Sequence, residues 1–241
     1  MINFIPQIAQ IDKQTRFDAI TDVLEENEIP YSVQTFRYPD VIGNVIVSFN
    51  TEKSAKKIAV TAHYDNVKGT PGANDNAAAC SILLNLILEA KENKTEKSLE
   101  FVFFDLEETG LVGAINYRNA NLKKLACVIN LDMCGMGSNT VVCMRNGAEM
   151  FLTISPDADI TAVEMLPPGD AHIFMFEGFP TLYVVNSTDK DLTNYRSLGE
   201  FLQPYNNTDF VKTMHKPCDT PDTCNLEQVE KIREFISDCI K

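Results

Sequence analysis

The length, composition and charge of this chain are typical of a globular protein with a strongly acidic surface. Its 241 residues suffice for one large α/β domain or two small ones, and a core of that size needs no disulfide bonds. The net charge of −13 argues against a nucleic-acid partner, because lysine and arginine drive binding to phosphates. No apolar run reaches the roughly 18 residues of a transmembrane helix, so no membrane partner is expected.

The N-terminus and the cysteines together predict a cytoplasmic protein. Residues 1–7 have no basic stretch followed by an apolar one, so no secretory signal is predicted, although a signal removed earlier would leave the same sequence. Cys218 and Cys224 flank a turn, where they form either a local disulfide or two reduced thiols. Three cysteines in apolar segments are expected to be core residues: Cys80, Cys127 and Cys143.

The first quarter of the chain predicts one helix followed by two paired strands. Apolar residues recur at helical spacing over 12–28, and Pro30 ends that helix. Apolar and polar residues then alternate over 31–36 and 44–49. This alternation predicts an antiparallel pair of strands with one buried face.

Strands and helices alternate in the next part of the chain. Buried strands are predicted over 57–62, 99–104 and 125–131, with helices over 76–91 and 109–119 between them. This alternation favours a largely parallel sheet covered by helices on both faces. No repeat or linker interrupts the pattern, so a single domain over 1–241 is predicted. Its fold class is α/β, with three α/β/α layers and a central mixed, largely parallel sheet.

The last part of the chain is less regular. Strands are predicted over 140–144 and 181–185, whereas 151–166 fits helix and strand equally well. Asn225, with Gln228 three residues later, is typical of a capping box, in which each side chain caps the other residue's backbone. The apolar residues that follow predict a terminal helix.

Acidic and histidine side chains follow each of the three predicted buried strands. His63 and Asp65 follow the first strand, Glu107 and Glu108 the second, and Asp132 the third. Because the carboxyl ends of parallel strands meet at one edge of a sheet, these side chains are expected to lie close together. Imidazole and carboxylate groups are zinc ligands. The pattern therefore favours a metal-dependent hydrolase.

Adjacent acids and loop residues extend this pattern. Glu107 and Glu108 repel each other in a buried setting unless a cation or a raised pKa relieves the repulsion, although an exposed acidic turn is the alternative. Their side chains point in different directions, so one can bind metal while the other acts as a general base. Asp75, between two asparagines at the start of a predicted helix, either stabilises the beginning of that helix or bridges two cations. His215 is one of three histidines, and alone it predicts only a surface residue.

Taken in order, these segments resemble the dinuclear zinc aminopeptidases, the family of bacterial leucyl aminopeptidase and aminopeptidase Y. The resemblance extends from about residue 57 to 222. The motifs that carry it are Ala62-His63-Tyr64-Asp65, Gly72-Ala73-Asn74-Asp75-Asn76-Ala77, 103–113, Asn130-Leu131-Asp132-Met133, 170–180, and Met214-His215 with Asp219-Thr220.

The resemblance implies a site with two zinc ions. Because the site is rich in carboxylates, it could also bind Mn²⁺ or Co²⁺ in place of zinc. The implied ligands are His63, Asp75 and Asp132 for one ion, and Asp75, Glu108 and His215 for the other. Glu107 would be the general base that takes a proton from water and passes it to the leaving amine. Asp65 would orient the His63 ring. The resemblance also implies a cis peptide bond between Asp75 and Asn76.

The activity implied by the resemblance is removal of N-terminal residues from a peptide or aminoacyl substrate. Glutaminyl cyclase is an alternative on a similar fold, usually with one zinc ion and a tryptophan-rich pocket, whereas this chain has no tryptophan. A hydrolase of a small amide and a noncatalytic scaffold are further alternatives. One departure concerns the pocket lining, because Gly169-Asp170-Ala171 stands where many relatives have Ser-Asp-His.

Overall fold

The computed structural model describes residues 1–49, 56–93, 97–187 and 213–241, and they form helices around one eight-stranded sheet. The strands are β1 Tyr31–Tyr38, β2 Val41–Phe49, β3 Lys57–His63, β4 Leu99–Phe104, β5 Leu125–Leu131, β6 Asn139–Arg145, β7 Ile160–Ala162 and β8 Thr181–Ser187. The helices are α1 Ile5–Ile8, α2 Lys13–Glu26, α3 Ala78–Glu92, α4 Val112–Asn121, α5 Ala171–Met175 and α6 Leu226–Ile240.

The sheet is mixed, with four parallel strands at its centre. Its strand order is β1-β2-β4-β3-β5-β8-β6-β7, and β4, β3, β5 and β8 run parallel to one another. The outer strands β1, β2 and β6 pair antiparallel to their inner neighbours. In the register, His63 lies opposite Phe104, and Thr61 lies opposite Asn130. The carboxyl ends of β3, β4 and β5 are therefore level at one edge of the sheet.

Helices cover both faces of this sheet. On one face, Val60 and Phe103 belong to a buried cluster with residues of α1, α2, α3 and α6. On the other face, Val102 and Val128 pack with Tyr117 of α4 and with α5. The predicted three-layer α/β/α fold is confirmed. None of the helices in the described part of the chain is long and apolar enough to cross a membrane.

Most predicted helices and strands are present, but two helices begin later than predicted, after the turns that carry site residues. The helix predicted over 76–91 begins at Ala78, because a tight turn with non-helical Asp75 and Asn76 precedes it. The helix predicted over 109–119 begins at Val112, after Leu111 in the left-handed region at φ 61°. The ambiguous segment 151–166 contains only the short strand β7, and α1 was not predicted.

Two local predictions about the C-terminal part have different outcomes. The Asn225 side chain accepts a hydrogen bond from the Gln228 backbone at 3.3 Å, so it caps α6. The reciprocal half of the capping box is wrong, because the Gln228 side chain donates instead to the buried Thr140 hydroxyl at 2.9 Å. All seven cysteines are free thiols, so Cys218 and Cys224 form no disulfide. Cys80, Cys127 and Cys143 are buried, as predicted.

Candidate metal centre

The side chains predicted as metal ligands meet at the carboxyl edge of the central strands. His63 is the last residue of β3, and Asp132 directly follows β5. Glu108 lies in the turn between β4 and α4, and Asp75 lies in the turn before α3. His215 comes from the segment that precedes α6. Five residues that are far apart in sequence therefore converge on one place.

Three of them form a buried set, which we call the inner group: His63, Asp75 and Asp132. His63 Nε2 lies 3.3 Å from Asp75 Oδ1 and 3.4 Å from Asp132 Oδ1. Burial by itself would lower the pKa of His63, but the charge of Glu107 and the contacts with neighbouring carboxylates raise it well above its ordinary value. The inner group therefore favours a positive charge at its centre.

A second set, the outer group, contains Asp75, Glu108 and His215. His215 Nε2 lies 3.3 Å from Asp75 Oδ2 and 3.1 Å from Glu108 Oε2. Hydrogen bonds with Asp75 and Glu108 raise the pKa of His215 to about 10. Asp75 belongs to both groups and presents a different oxygen to each. Its pKa is lowered, because the two histidines outweigh the opposing effect of burial.

The distances within both groups fit a metal ion. Zinc ligands with bonds near 2.0–2.1 Å in a tetrahedral arrangement lie roughly 3.3 Å from one another. The four histidine-to-carboxylate distances here range from 3.1 to 3.4 Å. Within the described residues, Glu108 Oε1 and Asp132 Oδ1 are buried without a hydrogen-bond partner. Buried carboxylate oxygens need a partner, and a cation provides one.

Asp65 contacts both the His63 ring and the segment that carries Glu108. Its Oδ1 lies 3.5 Å from His63 Nδ1, the nitrogen that does not face the inner group. Its two carboxylate oxygens accept hydrogen bonds from the Glu107 and Glu108 backbone amides at 3.0 and 3.2 Å. Asp65 therefore links the end of β3 to the turn after β4. This geometry suits a carboxylate that orients a ligating histidine.

Further polar side chains hold the turn that carries Asp75. The peptide bond between Asp75 and Asn76 is cis, as the resemblance implied. Asp219 is fully buried, and its carboxylate accepts hydrogen bonds from the Asn74 and Asp75 backbone amides at 2.8 and 3.1 Å. Asn76 bridges to the end of β5, because it donates to the Leu131 carbonyl and accepts from the Met133 amide. Sequence reasoning had assigned no role to Asp219 or Asn76.

Glu107 and Asp170 place two further carboxyl groups beside the two ligand groups. Burial raises the pKa of Glu107, and the carboxylates of Asp170, Asp132 and Glu108 add to that effect. Asp170 is buried, and neither of its carboxylate oxygens has a hydrogen-bond partner within the described residues. Burial likewise raises its pKa. The cluster thus contains more carboxylates than its two histidines can neutralise.

The sequence profile of peptidase family M28 matches residues 44–240, which is most of this chain. The chain belongs to peptidase family M28. Family membership implies a zinc site, and the inner and outer groups are the candidate ligand sets for it.

Sequence and structural relatives include aminopeptidases and glutaminyl cyclases. Aminopeptidase YwaD of Bacillus subtilis is 39% identical over 82 residues, which cover 32% of this chain and 18% of that protein. The structure of BSAP, a zinc aminopeptidase from Bacillus subtilis, has a TM-score of 0.66 at 21% identity. The superposition covers 83% of this chain and 50% of the BSAP chain. The glutaminyl cyclase of Bacteroides thetaiotaomicron has a TM-score of 0.73 at 17% identity, with 98% of this chain and 95% of that chain covered. The chain spans about a fifth of the length of the curated relatives it matches first.

The structure gives a steric reason for the glycine at position 169. A Cβ at Gly169 would lie 2.6 Å from the Tyr183 hydroxyl and 3.0 Å from Asp132 Oδ2. Tyr183 donates a hydrogen bond to Asp132 Oδ2 at 3.1 Å, so this tyrosine occupies the space that a serine would need. The third histidine, His172, packs against Tyr183 and Phe176 and joins neither ligand group.

Proposed function

We propose that this M28 chain is a metal-dependent aminopeptidase that hydrolyses the N-terminal bond of a peptide or aminoacyl substrate. The observation that carries the proposal is the pair of ligand groups that share Asp75, with the Glu107 carboxyl beside them. In this assignment His63, Asp75 and Asp132 would hold one zinc ion, and Asp75, Glu108 and His215 would hold a second. When bound, zinc supplies Lewis acidity, which lowers the pKa of water and polarises a carbonyl group.

The protein side chains divide the remaining work. Glu107 is half-buried and adjoins the ligand Glu108, so its carboxylate accepts a proton from the attacking water and donates it to the leaving amine. Asp65 keeps the His63 ring in its ligating orientation and fixes the backbone of Glu107. Tyr183 holds Asp132 in place through its hydroxyl.

The acidic surroundings favour a substrate that carries a free amino group. Net charge is −13, and carboxylates not assigned to the metals, such as Glu107 and Asp170, lie near the ligands. A protonated amine is attracted to such a site, whereas an interior peptide bond carries no charge. This argument supports exopeptidase action over endopeptidase action.

Glutaminyl cyclase is a second candidate, because a glutaminyl cyclase of nearly the same length covers almost the whole chain. Such likeness at 17% identity concerns the fold alone. Two ligand groups and the absence of tryptophan from the sequence favour the aminopeptidase.

A panel of substrates separates these functions. Free aminoacyl peptides, their N-acetylated forms and peptides with N-terminal glutamine are incubated with the zinc-loaded protein, with Glu107→Gln as the matched control for contaminating peptidases. We expect hydrolysis of the free peptides and at least about tenfold lower kcat/KM for the acetylated forms, since the acidic groups lose their cationic partner. Equal rates for both forms, or cyclisation of N-terminal glutamine without hydrolysis, would contradict the proposal.

A further inference from the structure

Arg16 is a fully buried arginine on the N-terminal helix α2. Its exposed fraction is 0%, although arginine is rarely buried without a charged partner. Within the described residues it forms no ion pair, and its guanidinium binds only backbone carbonyl groups. Burial of a charged group without an ion pair costs free energy of folding. We therefore expect the hydrogen bonds of Arg16 to have a structural or functional role.

Those contacts join two segments that carry ligands. Arg16 Nε donates to the carbonyl of Tyr64, the residue between His63 and Asp65. Arg16 Nη1 donates to the Pro71 carbonyl at 2.6 Å, and both terminal nitrogens lie 3.4 Å from the Gly72 carbonyl. One rigid guanidinium thus ties the end of β3 to the loop that leads into Asp75.

Asp219 also holds the loop that Arg16 binds, through the residues that follow Gly72 in sequence. Asp219 binds the backbone amides of Asn74 and Asp75, whereas Arg16 binds the preceding carbonyls. Gly72 has φ 61°, and a Cβ there would collide with the Asp75 carbonyl and lie 3.1 Å from Arg16 Nη1. The loop therefore has little freedom between these two side chains.

Helix α2 also reaches the third ligand-bearing segment. Lys13, one turn before Arg16, pairs with Asp105 Oδ2 at 2.9 Å. Asp105 follows β4 directly and lies three residues before Glu108. The helix itself is anchored by buried Ile20 and Leu24. The start of α2 is thus a fixed platform for the ligand segments after β3 and β4.

We propose that Arg16 is a positioning residue of the metal centre: through the Tyr64, Pro71 and Gly72 carbonyls it fixes the backbone beside His63 relative to the loop that leads into Asp75. The proposal rests on the metal-dependent function proposed above. Arg16 lies outside residues 44–240, the region that the M28 profile matches. In this proposal the metal site depends on a residue, Arg16, that lies N-terminal to the region matched by the M28 profile.

Metal affinity of the full chain tests this role. Arg16→Lys keeps the positive charge but replaces the fork of donors by one ammonium, and Arg16→Met removes both. The matched control is Arg233→Met, because Arg233 on α6 pairs with Glu89 and Glu230, and none of its partners among the described residues is a metal ligand or an immediate neighbour of one. Zinc and cobalt dissociation constants come from competition with a chromophoric chelator, and thermal unfolding of the metal-free proteins reports stability separately.

We expect Arg16→Lys to weaken metal binding about ten- to a hundredfold, as loss of a group that supports metal ligands does. Arg16→Met is expected to weaken it further, and the absorption spectrum of bound cobalt changes in both. Arg233→Met should stay within about twofold of the wild type, because distant sites act independently.

Three results would overturn the role of Arg16. The first is wild-type metal affinity in Arg16→Lys, and the second is an equal loss of metal affinity in Arg16→Lys and Arg233→Met. The third is an Arg16→Lys protein that does not fold even with saturating zinc, because Arg16 would then be required for the stability of the whole fold. If instead the proposed metal-dependent function is wrong, the wild-type chain itself would bind no metal tightly, so the two failures are distinguishable.

Discussion

The inner and outer ligand groups differ in how the fold supports them. The inner group comes from strand ends and a tight turn, and its side chains are at most 10% exposed. In the outer group, the His215 side chain is 44% exposed and lies on a loop with φ 60°. Sheet register therefore fixes the inner group, whereas a loop completes the outer one. We expect the inner ion to be bound more tightly and to exchange more slowly.

The largest effect is expected from the residue that both groups share. Asp75→Ala removes one carboxylate oxygen from each group, so both ions should be lost and activity should fall to background. Elemental analysis of the zinc-reconstituted protein measures this. Retention of one full equivalent of zinc would mean that the two groups are independent of Asp75.

Glu107 belongs to neither group, so its replacement separates chemistry from metal binding. Glu107→Gln keeps the shape of the side chain but removes the base. We expect kcat to fall by at least about a hundredfold while the zinc content stays unchanged. Near-normal turnover would show that another residue transfers the proton.

Asp65 touches both the inner group and the backbone of the outer ligand Glu108. Asp65→Asn weakens these contacts, so metal affinity should fall about ten- to a hundredfold. Glu100→Gln is the matched control, because Glu100 is another buried carboxylate, but it binds Lys57 and Tyr117 near the start of β4, the end of that strand away from the ligands. Equal losses of metal affinity in the two variants would assign Asp65 a general structural role.

The smallest effect is expected from the cap of α6, which in the described part of the chain contacts no ligand side chain. Asn225→Ala removes the cap of α6 and should lower the free energy of unfolding by about 1 kcal/mol. Metal affinity should not change. Urea denaturation and chelator competition on the same preparation check both statements, and a loss of metal affinity here would argue against local control of the site.

The central part of the fold and the position of the site were predictable from local patterns. Apolar runs that are followed by His63, Glu107 and Asp132 indicate buried parallel strands, and parallel strands bring their carboxyl ends together. The pairing of ligands into two sets came from the resemblance to a known family, since no spacing rule links Asp75 to His215. Cytoplasmic location and a single domain over 1–241 stay predictions.

The supporting residues could not be predicted, for a physical reason. Arg16 and Asp219 act through hydrogen bonds to backbone groups distant in sequence, and such contacts require no particular residue type at the partner position. The capping-box pattern predicts that the Gln228 side chain caps α6, whereas in the structure it donates a hydrogen bond to the buried Thr140 hydroxyl on β6. The need for glycine at position 169 depends on its contact with Tyr183, which the sequence does not reveal.

The central claim is that two metal ions bind side by side through Asp75. Zinc titration of the chelator-stripped wild-type chain, with bound metal and peptide hydrolysis followed together, tests it most directly. We predict saturation at two ions per chain, with full activity only when both are bound and with the solvent-facing outer ion removed first by chelator. Saturation at one ion per chain with full activity would contradict the account.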